Sequence, residues 1–118
     1  MAIDPTIRTR LLAMPREFAN ATTAILEHQG ELSYAREQRE QRQAVLVEGL
    51  IAGWQETKSN ETIRKAQTEA ILAADTPYRD FDRAAQDAER GIKRWQMRLD
   101  DLRFELSCLL GIANNEKE

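Results

Sequence analysis

The sequence predicts an all-α protein, an antiparallel coiled-coil hairpin of two long helices with an additional short helix, three main helices in all. Apolar residues make up 42% of the chain and charged residues 31%, whereas prolines number only three and glycines five. That composition is typical of long helices. Apolar residues also recur at alternating steps of three and four. β-branched and aromatic residues form no alternating runs, so we expect no sheet.

The chain opens with a predicted short helix or arm over residues 1–14. Asp4 followed by Pro5 is typical of an N-cap with proline in the first helical turn. Pro15 is expected to end or redirect this helix, because proline has no amide hydrogen and its ring clashes with the preceding turn. The whole of 1–118 is expected to form a single helical domain.

A long helix is predicted over residues 15–57, which are rich in strong helix formers. The polar run at residues 36–43 interrupts its apolar stripe, and the sequence alone leaves open whether the helix is continuous there. We interpret this run as a solvated face, with a binding patch as the alternative. The stripe comprises Phe18, Thr22, Ile25, Gln29, Leu32 and Ala35 or Arg36.

A short helix is predicted over residues 60–74, because Asn60 or Ser59 can accept hydrogen bonds from the free amides of a new helix. Its predicted inner face is small enough to lie close to a neighbouring helix. That face comprises Ile63, Ala66, Gln67, Ala70, Ile71 and Ala74.

The strongest signal predicts a main helix over residues 77–110, with Thr76 as N-cap and Gly111 as C-cap. Residues 113–118 are expected to be a frayed tail. Ten positions on this helix form an apolar heptad seam, which requires a long partner helix. Short connections make that partner antiparallel. The seam comprises Tyr78, Phe81, Ala85, Ala88, Ile92, Trp95, Leu99, Leu102, Leu106 and Leu109.

Apolar residues also occur off the seam in the second half of the main helix. Met97 and Phe104 share one heptad position opposite the seam, and Cys108, Leu110 and Ile112 lie nearby. A two-helix contact does not cover both faces, so either other helices of the chain or a second copy must cover this one. We expect a homodimer or small closed oligomer joined through these residues.

Two groups of basic residues are candidate contacts for nucleic acid. Phosphate contacts from such groups would give salt-dependent binding without sequence preference. Acidic residues interleave with both groups, so an ordinary charged helix surface is the alternative. The candidates are Arg36, Arg39 and Arg42 in the first long helix, and Arg90, Lys93, Arg94 and Arg98 in the main helix.

No residues form a catalytic, cofactor-binding or metal-binding pattern, so we expect a protein that is not an enzyme and has no cofactor. The only histidine, His28, is expected to be solvated. Asp100, Asp101 and Glu105 are better explained by ion pairs with neighbouring arginines than by acid-base or metal chemistry. Cys108 is interpreted as a small buried hydrophobe.

The net charge of −3 is mild, and the single cysteine excludes an intramolecular disulfide. The first residues lack the charged and apolar regions of a secretory signal. No apolar run approaches the roughly 18 residues of a membrane span. We therefore expect a cytoplasmic protein that does not enter a membrane.

From Asn60 to Ile112, a short Thr/Arg/Ala-rich helix precedes a helix start with Thr76 and Arg79, and a long helix then closes in LRFELSCLL at residues 102–110. This order of elements resembles small all-helical bacteriophage and prophage proteins encoded near single-strand-annealing recombination genes. The resemblance implies an accessory role in phage-type DNA recombination or replication, exerted by binding a partner protein or single-stranded DNA. The alternative is a structural scaffold that forms a helical oligomer.

Overall fold

The computed structural model describes residues 3–54 and 60–117, with the side chains of 116 and 117 left aside. These residues form three helices: α1 (Pro5–Trp54), α2 (Glu61–Ala74) and α3 (Thr76–Lys117). No strand occurs within the described ranges, which confirms the all-α class. The predicted end of the first long helix at residue 57 lies outside the described residues.

α1 begins as the sequence predicts but does not break at Pro15. The Asp4 carboxylate accepts a hydrogen bond of 2.7 Å from the Thr6 amide, as expected of an N-cap. Pro15 lies inside one continuous helix, so the separate arm over residues 1–14 is wrong. Met14 is buried directly before the proline and Phe18 is half-buried one turn later. Packing on both sides of Pro15 therefore outweighs the lost backbone hydrogen bond.

The ends of α2 and α3 differ in part from the predicted caps. Asn60 caps α2 as expected, accepting from the Ile63 amide at 2.9 Å. The cap of α3 is Asp75 instead of Thr76, since the Asp75 carboxylate accepts from the Tyr78 amide at 2.9 Å. α3 also continues through Gly111 to Lys117, so the predicted end and frayed tail are wrong over this range.

The contacts of the chain divide it into two compact units. Unit 1 comprises residues 1–29 and 90–118, and unit 2 comprises residues 30–89. The sequence predicts a single domain and gives no sign of this division. Parts of α1 and α3 occur in both units, whereas α2 belongs to unit 2 alone.

The predicted seam of α3 is confirmed, because all ten of its residues are buried or half-buried. Ala113 is buried as well and extends the seam by one step, which accounts for the helix continuing past Gly111. Few apolar side chains are buried in either unit. The buried apolar side chains are Met14, Ala21, Leu102 and Ala113 in unit 1 and Ala35, Ala85 and Ala88 in unit 2.

The inward-facing residues of α1 also recur at alternating spacings of three and four residues. At two positions of this pattern, the residue that faces inward is the one directly before the predicted residue. Thr22 and Gln29 are exposed, and Ala21 and His28 face inward instead. The expectation of a solvated His28 is therefore wrong. The residues that face inward are Met14, Phe18, Ala21, Ile25, His28, Leu32, Ala35, Arg39, Arg42 and Leu46.

α2 packs less closely than its predicted inner face implies. None of its residues is buried, and the predicted inner face is wrong at all but one position. Ile71 is half-buried, whereas the exposed members of that face are Ile63, Ala66, Gln67, Ala70 and Ala74. Within unit 2, Nε1 of Trp54 in α1 donates a hydrogen bond to Gln67 Oε1 of α2. The Arg64 guanidinium lies 5.5 Å from the centroid of the Trp54 ring, which adds a cation-π contact.

Candidate interaction surface

The arginines predicted to contact nucleic acid in α1 instead form ion pairs with α3 in unit 2. Arg36 Nη2 lies 2.8 Å from Glu89 Oε1, and Arg39 Nη1 lies 2.8 Å from Asp82 Oδ1. The residue numbers of the acidic partners decrease as those of the arginines increase, so the two helices are antiparallel within this unit. The polar run at residues 36–43 lies within the continuous helix α1. Its interpretation as a solvated face is wrong at Arg39 and Arg42, which are half-buried against α3 and its N-cap.

Arg42 makes the tightest of these contacts, with the carboxylate that caps α3. Its Nε and Nη2 donate to the two carboxylate oxygens of Asp75 at 2.9 and 2.7 Å. The hydrogen bonds from Arg42 hold the pKa of Asp75 below its usual range, although desolvation opposes this shift; the Tyr78 amide lowers the pKa further. One carboxylate thus starts α3 and joins it to α1.

We predict that Asp75→Ala lowers the melting temperature by several degrees, because it removes the helix cap and the partner of Arg42 together. Asp75→Asn should be intermediate, since the amide oxygen retains the cap without the charge. A lowered pKa in the folded state stabilises the protein at neutral pH, and this contribution fades as the pH falls through the usual aspartate range. Thermal unfolding of the three proteins from pH 7 to pH 3 measures both effects. An Asn variant with the acid sensitivity of the wild type would contradict the assignment.

A second ion-pair cluster joins α1 to α3 in unit 1. Arg10 Nε and Nη2 donate to Glu105 at 2.6 and 2.7 Å, and Arg10 Nη1 lies 2.5 Å from Glu17 Oε2. Arg98 Nη2 is 3.6 Å from the other Glu17 oxygen. The hydrogen bonds from Arg10 lower the pKa of Glu105, and desolvation opposes this shift. The positive charges of Arg10 and Arg98 lower the pKa by smaller amounts. Glu105 thus pairs across the helices, whereas the prediction paired it within α3.

His28 packs against Gly91, where the two helices of unit 1 approach closely. Both residues lie inside the helix pair, His28 half-buried and Gly91 buried. A methyl group added at Gly91 would lie 2.8 Å from Cε1 and Nε2 of the His28 ring. Gly91 therefore provides the space that the imidazole occupies.

We predict that Gly91→Ala destabilises the protein by about 1 kcal/mol, because the overlap with His28 exceeds the gain in helix propensity. The control Gly111→Ala, at an exposed position with open space around it, should stabilise by about 0.5–1 kcal/mol. Gly91→Ala should also become stabilising in a His28→Ala background. Urea unfolding of the four variants tests this, and a Gly91→Ala protein as stable as Gly111→Ala would show that His28 does not limit the space.

The outward side of α3 in unit 1 carries two large apolar side chains that are uncovered among the described residues. Met97 is 68% exposed and Phe104 73% exposed. Leu110 and Ile112 are also exposed, but their heptad positions lie on opposite flanks of the helix. Cys108 is exposed, so its interpretation as a buried hydrophobe is wrong. All five residues predicted for an oligomer interface are thus accessible.

The basic residues of α3 surround the same side of the helix. Arg90, Lys93, Arg94 and Arg98 are exposed. Arg94 and Arg98 line an open hollow of about 260 Å³ together with the half-buried Trp95. The hollow therefore combines cationic side chains with a partly exposed aromatic ring. Nothing in the structure tests whether nucleic acid binds there, so that assignment stays a prediction.

Comparisons with known proteins identify no relative of this chain. No protein-family model matches the chain, and no curated protein or solved structure matches it significantly. Within residues 3–54 and 60–117, no helix combines the length and apolar character needed to cross a membrane. The same residues contain no group of three or more His, Cys, Asp or Glu side chains placed to hold a metal ion.

Proposed function

We propose that this chain is a non-enzymatic binding protein that acts as a helical scaffold and forms a homo-oligomer through unit 1. The observation that carries this proposal is the exposure of Met97 and Phe104 on the outward side of α3. Because α2 belongs to unit 2, the described part of unit 1 contains only segments of α1 and α3. No third described helix of the unit covers that side.

The energetic argument rests on the size of the exposed side chains. A phenylalanine offers about 150–250 Å² of surface, and burial of apolar surface is worth roughly 25 cal/mol per Å². Exposed apolar patches rimmed by charge are typical of protein-protein contacts. Exposed Leu12 and Leu26 on α1 give unit 1 a second apolar side. Self-association covers such surfaces and opposes non-specific aggregation.

The test is sedimentation equilibrium of the wild-type protein at concentrations from one to one hundred micromolar. We expect a closed oligomer, with a dimer as the simplest form, at tens of micromolar. A monomer throughout this range would overturn the proposal. We propose a cytoplasmic location for this activity, which the exposed free thiol of Cys108 supports because free thiols persist in reducing compartments.

A second candidate function is supported by the hollow at Trp95. An accessory protein of phage-type DNA recombination or replication would bind a partner protein or single-stranded DNA there, with arginines contacting phosphates and the indole ring contacting a base. The family resemblance of residues 60–112 points the same way. The arginines of unit 2 support it less, because carboxylates already pair with Arg36, Arg39 and Arg42.

We predict, for this second candidate, that single-stranded DNA binds at low salt and dissociates as salt rises. Lys93→Gln with Arg94→Gln should reduce the salt dependence by about 0.7 per lost phosphate contact. The matched control is Arg36→Gln with Arg39→Gln, which should leave the slope unchanged. Fluorescence anisotropy with a labelled oligonucleotide measures both variants. Absence of binding at low ionic strength would exclude this function.

A further inference from the structure

The outward face of α3 carries opposite charges on the two sides of an apolar centre. We define the outward face as the exposed heptad positions opposite the seam between residues 90 and 104. Positive side chains precede Met97 on this face and carboxylates follow it, with a phenylalanine one further heptad along. The face comprises Arg90, Lys93, Arg94, Met97, Asp100, Asp101 and Phe104, all of them exposed and all in unit 1.

The spacing of these charges is symmetric about Met97. At about 1.5 Å per residue, Lys93 and Arg94 lie roughly 6 and 4.5 Å before Met97, and Asp100 and Asp101 lie roughly 4.5 and 6 Å after it. Lys93 and Asp100 share one heptad position on one flank of the face. Arg94 and Asp101 share another position on the opposite flank.

We propose that the outward face is the docking surface for the same face of a second copy, which lies antiparallel across a two-fold axis at Met97. This inference rests on the proposed function and specifies its geometry. An axis perpendicular to the helices brings Lys93 opposite Asp100 of the second copy on one flank. It brings Arg94 opposite Asp101 of the second copy on the other flank. Each pair occurs twice, as an isologous interface requires.

The apolar residues fit the same axis. Met97 meets its own copy at the centre, and Phe104 lies level with Arg90 of the second copy, where a guanidinium can stack on the ring. A parallel arrangement would place Lys93 beside Arg94 of the second copy and Asp100 beside Asp101 of the second copy, which like-charge repulsion disfavours. An axis at Phe104 would leave both aspartates opposite the uncharged Ser107 and Cys108. Charge therefore selects both the direction and the register.

A charge-swap experiment tests the arrangement. The acidic variant carries Lys93→Asp and Arg94→Asp, and the basic variant carries Asp100→Lys and Asp101→Lys. All four positions are exposed, so we expect helix content by circular dichroism to match the wild type. Each variant alone should be monomeric where the wild type is dimeric, since its face repels itself. An equimolar mixture should restore a one-to-one heterodimer in analytical ultracentrifugation.

The native cysteine gives an independent distance. Cys108 is eleven residues beyond Met97, so two spin labels on Cys108 should lie about 33 Å apart along an antiparallel pair at about 1.5 Å per residue. Double electron-electron resonance on the wild-type chain measures this distance directly. A parallel dimer would instead bring the labels close together, and that result would overturn the arrangement.

The remaining outcomes separate the arrangement from the proposed function. If both charge-swap variants dimerise as the wild type does, the arrangement is wrong and self-association through another face stands. If the wild type is monomeric at tens of micromolar, both proposals fail. If that monomer binds single-stranded DNA and the acidic variant does not, the occupant of the outward face is nucleic acid and the arrangement is overturned.

Discussion

Leu102→Glu is expected to unfold unit 1. Leu102 is 0% exposed and is the largest fully buried aliphatic side chain of the α3 seam. Removing a buried leucine costs about 2–5 kcal/mol on its own, and an unpaired buried carboxylate adds a larger desolvation penalty. A chain of this size has about 5–15 kcal/mol of stability in total. The substitution should therefore remove most of the free energy of unfolding.

Far-UV circular dichroism and thermal unfolding measure this effect. We expect a large loss of helix signal at 25 °C and no cooperative transition above it. The control is Leu102→Met, which nearly conserves volume and should cost less than about 1.5 kcal/mol. A Leu102→Glu protein that melts like the wild type would contradict the seam.

The α3 seam could be predicted from sequence because its signal is local and redundant. Ten apolar residues at heptad spacing fix which side of the helix faces inward, and one exception would not have changed the result. The outward side followed from the same periodicity, so Met97 and Phe104 were predicted to lie opposite the seam, and both are exposed. What the sequence does not provide is the partner that covers them.

The inward face of α1 was harder because polar residues occupy part of it. His28, Arg39 and Arg42 face inward at heptad steps, but a search for apolar residues passes over them. Their partners are distant in sequence, as in the pair of Arg42 with Asp75, 33 residues away. Continuing the rhythm from Met14 regardless of polarity would have identified all three positions.

Two helix ends were wrong because local breakers were given more weight than packing. Pro15 and Gly111 are ordinary stop signals. Each is followed within three residues by an inward-facing side chain, Phe18 after Pro15 and Ala113 after Gly111. Burial of those side chains favours continuation of the helix. A stop signal inside an otherwise continuous heptad pattern is therefore weaker than the same signal at its edge.

Phe104→Glu is expected to have the opposite consequence to Leu102→Glu, although the two residues are only two positions apart. Phe104 is 73% exposed, so a carboxylate there stays in water and α3 keeps its packing against α1. In the oligomer, however, the substitution removes the largest apolar contact of the outward face. An ion pair of the new carboxylate with Arg90 of the second copy is worth at most about 1 kcal/mol and does not replace that contact. We expect a monomer with helix content and melting behaviour close to those of the wild-type chain measured at high dilution.

The matched control for Phe104→Glu is Leu26→Glu, which places the same charge on the exposed apolar side of α1, where Leu26 is 62% exposed. Sedimentation velocity at tens of micromolar should show a monomer for Phe104→Glu and an intact oligomer for Leu26→Glu. The reverse result would move the interface to α1. A Phe104→Glu protein that loses its helix signal would mean that Phe104 supports the fold of the single chain, because a side chain needed only between copies does not affect the folding of one.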